Sequence, residues 1–243
     1  MKLKYLKYFE GYKLEPHRNY EERNKYVEKK LLKILQNESY NGNLDLSGNK
    51  YPNIKDLGNL KYLKGNLKII DNKTLENLNP LINVTELILK NTNIKDLGNI
   101  KDIKKLSLIN NPNITELYSI RELNYIYLYN MNMNLDSLTS INYVKIIDSI
   151  ISDMGYFENC LNINIENSEI NNLGSLKNCS VLNLKYVKGI KNLEPLKSCN
   201  ILKVINSNIE DISSIQNINT YLIVTKDTKI PDNQLNRFKH NFL

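Results

Sequence analysis

The amino-acid sequence predicts an α/β solenoid, in which about ten short parallel strands stack into one sheet and a helix lies at each end. Two observations lead to this fold. A pair of apolar residues separated by one residue recurs ten times within residues 40–225, at steps of roughly 18 to 23 residues. Each pair is followed by apolar residues at every third position, so a single repeat cannot bury its apolar face alone.

The strands are predicted from the apolar pairs, because alternation at period two is typical of a strand with one buried face. The pairs are Leu44/Leu46, Leu67/Ile69, Leu87/Leu89, Leu106/Leu108, Ile126/Leu128, Val144/Ile146, Ile163/Ile165, Leu182/Leu184, Leu202/Val204 and Leu222/Val224. Stacking of successive repeats predicts one parallel sheet. The apolar residues at every third position suit an extended or 3₁₀-like return path on the other side.

An Asn or Asp follows most of these pairs by two residues, where the chain leaves the sheet. Inward-turning backbone groups would lose roughly 1–3 kcal/mol each if they lacked partners. An Asn amide both donates and accepts hydrogen bonds, so these side chains are predicted to bond adjacent turns as a ladder. Tyr186 and Gly48 interrupt it. The predicted ladder consists of Asp71, Asn91, Asn110, Asn130, Asp148, Asn167 and Asn206.

The repeat pattern L-x-L-x-N-x-x-I-x-x-L-x-x-L-x-x-L resembles the leucine-rich-repeat family, and most closely its short, internalin-like subclass. The resemblance covers residues 40–225. It implies a curved horseshoe with the strands on the concave face, an irregular or 3₁₀ convex side, caps at both ends, and protein binding on the concave sheet. The sequence departs from the pattern around residues 148–156, where the repeat is short, and at 47–55, where Asn49 is shifted.

The ends of the solenoid are predicted to be covered by helices, because terminal repeats expose their core. This divides the chain into a basic segment with a helical cap (1–39), the solenoid (40–225) and a C-terminal helical cap (226–243). The first helix is predicted over residues 20–37, with Asn19 and Glu22 resembling a capping box. Its apolar face consists of Val27, Leu31, Ile34 and Leu35.

The second helix is predicted over residues 231–242. Pro231 suits the first helical position. The N–H of that position has no partner within a helix, so a proline, which lacks an N–H, loses no hydrogen bond there. Leu235 and Phe238 are predicted to form its inward face.

The charge is concentrated at the N-terminus. The chain has a net charge of +7, and residues 1–35 contain ten Lys/Arg and five Glu. Two interpretations remain open, a solvated basic cap or a contact for phosphate, acidic protein or anionic lipid. No signal peptide or membrane span is recognised, which predicts a cytoplasmic protein. Residues 1–10 resemble the leader of proteins packaged into tailed-phage heads, which implies virion association as an alternative.

The sequence offers no catalytic constellation that we can defend, and the protein is predicted not to be an enzyme and to need no cofactor or metal. Cys160, Cys179 and Cys199 lie roughly one repeat apart, which predicts a stacked column of small apolar side chains in the core. Other repeats place Leu63, Val84, Ile103, Leu123 and Ile218 in the same position. The alternative, a metal or redox site, would need a fourth ligand. The two histidines, His17 and His240, lie outside the repeats.

The residues that alternate with the buried pairs are predicted to point out of the concave sheet. Tyr125, Tyr127 and Tyr129 occupy all three outward positions of one strand. An exposed aromatic and aliphatic patch rimmed by charge is typical of a protein interface. The preference of strands for Tyr and Ile is the other explanation. The predicted patch consists of Tyr125, Tyr127, Tyr129, Tyr143, Ile88, Ile109, Ile147, Lys90, Lys105 and Lys145.

Two functions follow from these surfaces. The first is a non-catalytic module that binds another protein through the concave face, as an inhibitor or adaptor. The second is binding of nucleic acid or another polyanion through the basic N-terminal cap and the concave lysines, with tyrosines stacking on bases. The near-neutral repeat array favours the first. The oligomeric state and the identity of the partner are not predicted.

Overall fold

The computed structural model describes residues 20–225, 229–238 and 240–242 of the chain. It is a parallel β-solenoid of about ten turns, which confirms the predicted solenoid. Each turn contributes one strand to a long sheet and then returns through a series of tight bends. One continuous apolar core runs through the stacked turns.

The strands follow the repeat closely. In chain order they are β1 (Ser39–Tyr40), β2 (Leu44–Asp45), β3 (Tyr62–Ile70), β4 (Asn83–Lys90), β5 (Lys105–Ile109), β6 (Glu122–Tyr129), β7 (Asn132–Met133), β8 (Ser140–Ile147), β9 (Ile150–Ile151), β10 (Asn159–Glu166), β11 (Glu169–Ile170), β12 (Asn178–Lys185), β13 (Lys188–Gly189), β14 (Ser198–Ile205), β15 (Asn217–Val224) and β16 (His240–Phe242). Within the described residues, twelve of them form the long sheet, and β7, β9, β11 and β13 form a short second sheet.

The long sheet is parallel throughout its described pairs, and its register aligns equivalent repeat positions. Leu87 lies opposite Leu106, and Leu106 lies opposite Ile126. All ten predicted apolar pairs are buried. Most strands are longer than the pairs alone predict, because a third inward residue precedes the pair, by three positions for Val84 in β4 and by four for Leu63 in β3.

The return path after the long-sheet strands differs in four turns from the prediction of an irregular or 3₁₀ path. Four consecutive turns form the short parallel sheet there, and no 3₁₀ helix occurs among the described residues. The reason is that these turns place backbone donors and acceptors opposite one another. Thus Ile150 N donates to Met131 O at 2.8 Å, and Ser152 N donates to Met133 O at 3.2 Å.

The N-terminal helix, α1 (Tyr20–Leu35), ends two residues earlier than predicted. Leu31 and Leu35 are buried in the core, and the backbone N–H of Asn59 donates to Leu35 O at 2.7 Å. Gly58 allows this approach, because a Cβ there would lie 2.4 Å from Leu35 O. The side chains of the predicted capping pair, Asn19 and Glu22, lie outside the described part of the chain, as do residues 1–19 altogether.

The prediction of a C-terminal helix over residues 231–242 is wrong for most of its length. The helix α2 (Asp232–Leu235) has four residues, with Leu235 buried and Phe238 packed against the core. Residues 240–242 instead form β16, parallel to β15. The edge of β15 offers unpaired backbone groups along its whole length, and a strand satisfies these whereas a helix cannot.

Candidate functional site

The candidate site lies on the open face of the long sheet, which we define as the face whose side chains point away from the core. The register brings the predicted site residues together there. Tyr125 lies between Lys105 and Tyr143, and Tyr127 lies between Ser107 and Lys145. In the third row Tyr129 lies between Ile109 and Ile147.

The predicted residues form one contiguous area, which we call the tyrosine patch: Tyr125, Tyr127, Tyr129, Tyr143, Ile88, Ile109, Ile147, Lys90, Lys105 and Lys145. Tyr143 is 41 % exposed, whereas the other three tyrosines are half-buried by their neighbours in the sheet. Within the described residues, the hydroxyl groups of Tyr125, Tyr127, Tyr129 and Tyr143 form no hydrogen bond. The patch therefore combines apolar ring surface with four unused polar groups.

The electrostatics of the patch depend on close packing of its rings and its lysines. The Lys145 ammonium lies 5.2 Å from the centroid of the Tyr127 ring, within cation–π distance. Burial raises the pKa of the Tyr125 phenol. Burial, followed by the proximity of Tyr125, Tyr129 and Asp148, raises the pKa of the Tyr127 phenol. Both phenols are thus held neutral at physiological pH.

The patch lysines have no carboxylate partners. No ion pair in the described part of the chain involves Lys90, Lys105 or Lys145, although Glu86 stands opposite Lys105 in the register. Elsewhere on the same face, lysines are paired. Lys185 donates to Glu166 at 2.6 Å in the C-terminal turns.

Beyond the patch, some polar side chains of the open face bond one another, although Asn183 Oδ1 is buried without a hydrogen-bond partner among the described residues. In the C-terminal turns, Asn183 Nδ2 donates to Asn164 Oδ1 at 3.0 Å. In the N-terminal turns, Asp45 accepts a hydrogen bond from Lys50 at 2.6 Å. Burial opposes ionisation of Asp45, but the hydrogen bonds from Lys50 and Ser47 outweigh it and lower the pKa of this carboxyl.

The residues of the predicted asparagine ladder share a left-handed backbone conformation. Their φ angles lie between 48° and 54°, which Asn and Asp tolerate better than other non-glycine residues. Three side-chain rungs join the first four members, with Nδ2–Oδ1 distances of 2.7 to 3.0 Å. The members are Asp71, Asn91, Asn110, Asn130, Asp148, Asn167 and Asn206, and Tyr186 adopts the same conformation with a φ of 56°. We call this column the surface column.

The prediction that the surface column satisfies the inward-turning backbone is corrected by the structure. In most turns these hydrogen bonds are made by the next residue, which the sequence analysis did not single out. Asn111 is buried, accepts hydrogen bonds from Thr92 N and Oγ1 at 3.0 and 2.7 Å, and donates to Leu89 O and Ile109 O at 2.9 Å. We call this the buried column. Its polar members are the buried Asn72, Thr92, Asn111, Ser149 and Ser168 and the half-buried Ser207.

The buried column continues through the C-terminal turns with serine. Ser168 Oγ accepts a hydrogen bond from Ser149 N at 3.1 Å and donates to Glu166 O at 2.7 Å. Each serine therefore joins its own turn to the preceding one. The signal in the sequence is a small polar residue directly after the surface-column position, but Met131 and Val187 replace it in two turns.

A second missed feature is a column of turns built by Asp or Asn side chains. Asp96 Oδ1 accepts a hydrogen bond from Gly98 N at 2.7 Å, and Asn172 Oδ1 accepts one from Gly174 N at 2.9 Å. Such side-chain turns reverse the chain without a backbone partner. One turn has no such side-chain hydrogen bond, because Glu116 and Tyr118 stand where other turns have residues such as Asp96 and Gly98.

The predicted cysteine column is present. Cys160 lies opposite Cys179, and Cys179 lies opposite Cys199, on three neighbouring strands. All three are buried free thiols. Burial raises the pKa of the Cys160 thiol to about 11. Across the described residues, no group of three or more His, Cys, Asp or Glu side chains is arranged to hold a metal ion.

A groove outside the tyrosine patch lies at the ends of three strands. It encloses about 600 Å³ beside the ends of β8, β10 and β12, and its wall includes Asp148, Ile150, Glu169, Tyr186 and Lys188. Of the two histidines, His17 lies outside the described residues, and the side chain of His240 is not described.

Comparison with protein-family models, with curated proteins and with solved structures finds no match. Neither helix in the described part of the chain has the length and apolar character needed to cross a membrane. The architecture established by the structure is a parallel β-solenoid with one repeat of the sequence in each turn.

Proposed function

We propose that this chain is a leucine-rich-repeat protein of the internalin-like subclass, and that it binds another protein through the tyrosine patch. The family assignment is supported by the L-x-L pairs, each of which supplies the two buried residues of one parallel strand. It is further supported by the recurrence of Asn or Asp at the left-handed position that follows most strands of the long sheet. In that family, the face carrying the patch is the concave face of a horseshoe.

The observation that carries the binding proposal is the set of three successive outward tyrosines of β6 beside Tyr143 in β8. Tyr presents a large apolar ring and a polar hydroxyl at the cost of few rotatable bonds, which makes it a frequent hot spot of protein interfaces. The hydroxyl groups of these tyrosines have no partner among the described residues, so they are available to a bound protein.

The lysines of the patch specify the chemistry of the partner. Lys90, Lys105 and Lys145 bring positive charge to an area in which the described residues supply no ion pair. A partner surface with Asp or Glu around an apolar centre complements this arrangement. The proposed activity is stoichiometric, as an inhibitor or adaptor, with no reaction catalysed and no cofactor.

The test is affinity capture with the immobilised full chain at low and high salt, followed by mass spectrometry. The wild type is compared with the triple variant Tyr125→Ala/Tyr127→Ala/Tyr129→Ala. The matched control is Tyr62→Ala/Tyr221→Ala, because these tyrosines are 43 % and 50 % exposed on strands of the same sheet but lie outside the patch. Circular dichroism verifies that each variant is folded.

The proposal expects one protein that is retained by the wild type and by the control at both salt concentrations, and is lost from the triple variant. Retention of every wild-type partner by the triple variant would contradict it. Nucleic acid retained by all three proteins and released by salt would instead support binding of a polyanion, because counterion release makes such binding steeply salt-dependent.

A further inference from the structure

The segment between β1 and β2 contains an asparagine that is followed directly by glycine. Of the nine glycines in the chain, Gly42 alone follows an asparagine, Asn41. In such a pair the backbone nitrogen of the glycine can attack the side-chain amide of the asparagine, because glycine has no Cβ to obstruct the approach. Whether this reaction occurs in a folded protein depends on how the fold holds the two groups.

Neither reacting group is held by the fold. Asn41 is exposed, and Gly42 is half-buried. Within the described residues, no hydrogen bond involves the side-chain amide of Asn41 or the N–H of Gly42. The neighbouring Asn43 differs, because its Oδ1 accepts a hydrogen bond from Asn66 N at 2.9 Å. The side chain of Asn41 can therefore rotate towards the Gly42 nitrogen without breaking a hydrogen bond.

Asn167 is also followed by a small residue, but that residue is buried. The next residue, Ser168, belongs to the buried column, and its Oγ donates to Glu166 O and accepts from Ser149 N. The serine side chain crowds the backbone nitrogen, and burial of Ser168 restricts the access of water. The backbone of Asn167 is held as well, because its N–H donates to Lys185 O at 2.9 Å. Asn167 therefore serves as a comparison within the same chain.

We propose that Asn41 is a modification site, at which the side-chain amide is lost by spontaneous deamidation through a cyclic imide. The Gly42 nitrogen gives its proton to a base in the solvent and forms a bond to Asn41 Cγ, and the Cγ–Nδ2 bond breaks to release ammonia. Water then opens the imide. Cleavage of the new bond to Cγ leaves aspartate, whereas cleavage of the original peptide bond leaves isoaspartate. The reaction consumes one water, releases one ammonia and needs no oxidant or reductant.

The isoaspartyl product would alter the first turns of the solenoid. It lengthens the backbone by one methylene group between β1 and β2, and both of these strands pair with β3. The chain segments are in close contact there, because a Cβ at Gly65 would clash with Gly42 O. The Tyr40 ring also lies against Gly42, 3.1 Å from the position that a Cβ on it would take. A longer backbone must displace these contacts, so we expect isoaspartate to weaken the pairing of β1 and β2 with β3.

The inference is tested by incubating the full chain in mildly alkaline buffer made with oxygen-18 water, followed by peptide mass spectrometry. The label marks each carboxylate that forms during the incubation. Asn41→Gln keeps an amide but cannot form the five-membered imide. The matched control is Asn49→Gln, because Asn49 is exposed but is followed by Lys50. A synthetic peptide of residues 38–44 gives the rate in the absence of the fold, and the melting temperature of each protein is measured before and after incubation.

The expected result is labelled aspartate and isoaspartate at Asn41 in the wild type and in Asn49→Gln. Their rate should lie within about tenfold of the peptide rate, since a fold that held the pair rigidly would raise the barrier further. Asn167 should stay an amide. Incubation should lower the melting temperature of the wild type but not that of Asn41→Gln.

The inference is overturned if Asn41 keeps its amide while the peptide is fully converted, or if Asn167 is converted as fast as Asn41. An unchanged melting temperature in the converted wild type would overturn the expected effect on the first turns.

Discussion

The tyrosine patch and the polar columns are built on the same repeated backbone. They differ in whether their polar groups have hydrogen-bond partners within the fold. In the buried column, each serine or asparagine bonds the preceding turn, as Asn111 does with Thr92. In the patch, the hydroxyl groups of four tyrosines and the ammonium groups of three lysines lack hydrogen-bond and ion-pair partners in the described chain. The difference indicates that the columns hold the turns together, whereas the patch is available to another molecule.

The largest effect is expected on the free energy of unfolding when a residue of the buried column is replaced. Asn111→Ala would remove the Asn111 partner of Thr92 N, Thr92 Oγ1 and Leu89 O in the core, whereas Ile109 O would keep the hydrogen bond that it accepts from Asn91 N. We expect the free energy of unfolding to fall by about 3 kcal/mol, since each buried unsatisfied group costs roughly 1–3 kcal/mol. Urea unfolding followed by circular dichroism measures this value.

The matched control is the preceding residue in the surface column. Asn110→Gly preserves the left-handed backbone, with a φ of 51°, and removes two exposed rungs. Its expected cost is about 1 kcal/mol, because exposed hydrogen bonds contribute little net stability. Equal losses for Asn110→Gly and Asn111→Ala would mean that the two columns do not differ in the way we describe.

The second prediction concerns binding through the tyrosine patch. Tyr127→Ala should weaken binding of the captured protein by about 2 kcal/mol, or roughly 30-fold, because Tyr127 lies at the centre of the patch. Its free energy of unfolding should change by less than about 1 kcal/mol, because no hydrogen bond within the fold is lost. Titration calorimetry and urea unfolding measure the two quantities, with Tyr221→Ala as the control.

A large loss of stability together with an unchanged affinity would place Tyr127 with the structural columns. Equal loss of affinity in Tyr221→Ala would argue that any exposed tyrosine on the sheet contributes. Both outcomes contradict the assignment of the patch as a specific surface.

The parts of this comparison that could be predicted from the sequence are those that recur once in each turn. The apolar pairs, the cysteine column and the neighbours of Tyr125 all follow from the repeat, because equal turns place equivalent residues in register. The patch residues were therefore brought together as expected. Their function as a binding surface stays a prediction.

The features that escaped prediction depend on backbone groups or on varied residue types. The buried column was missed because Asn, Thr, Ser, Met and Val share one position, and only their burial reveals the common task. The short second sheet and β16 were missed because backbone hydrogen bonds between turns require no side-chain pattern. Local propensity alone favoured a helix at the C-terminus, but the open edge of β15 decided the outcome.

The third prediction tests the unpaired lysines. Lys90→Gln/Lys105→Gln/Lys145→Gln should weaken binding of an acidic partner by about 1.4 kcal/mol, or roughly tenfold, at low salt. The difference from wild type should shrink as salt is added, because exposed charges are screened. The control, Lys177→Gln/Lys185→Gln, removes lysines that are already paired with Glu158 and Glu166. A similar loss in both variants would point to net charge rather than to the patch.

The smallest effect is expected at Tyr186, the one position where the surface column carries a bulky side chain. Its φ of 56° costs a non-glycine residue roughly 1–2 kcal/mol, and Asn tolerates this conformation best. The Lys185 ammonium lies 5.4 Å from the centroid of the Tyr186 ring, and this cation–π contact offsets part of the backbone strain. We therefore expect Tyr186→Asn to raise the free energy of unfolding by about 0.5 kcal/mol.

The control for Tyr186→Asn is Tyr156→Asn, because Tyr156 is 64 % exposed but does not have a positive φ. If strain in the surface column is the cause, urea unfolding should detect a gain only for Tyr186→Asn. Tyr186 also lines the groove of about 600 Å³ beside Asp148 and Lys188. A loss of stability in Tyr186→Asn would mean that contacts of the ring outweigh its strained backbone, and that the ring belongs with the structural columns rather than interrupting them.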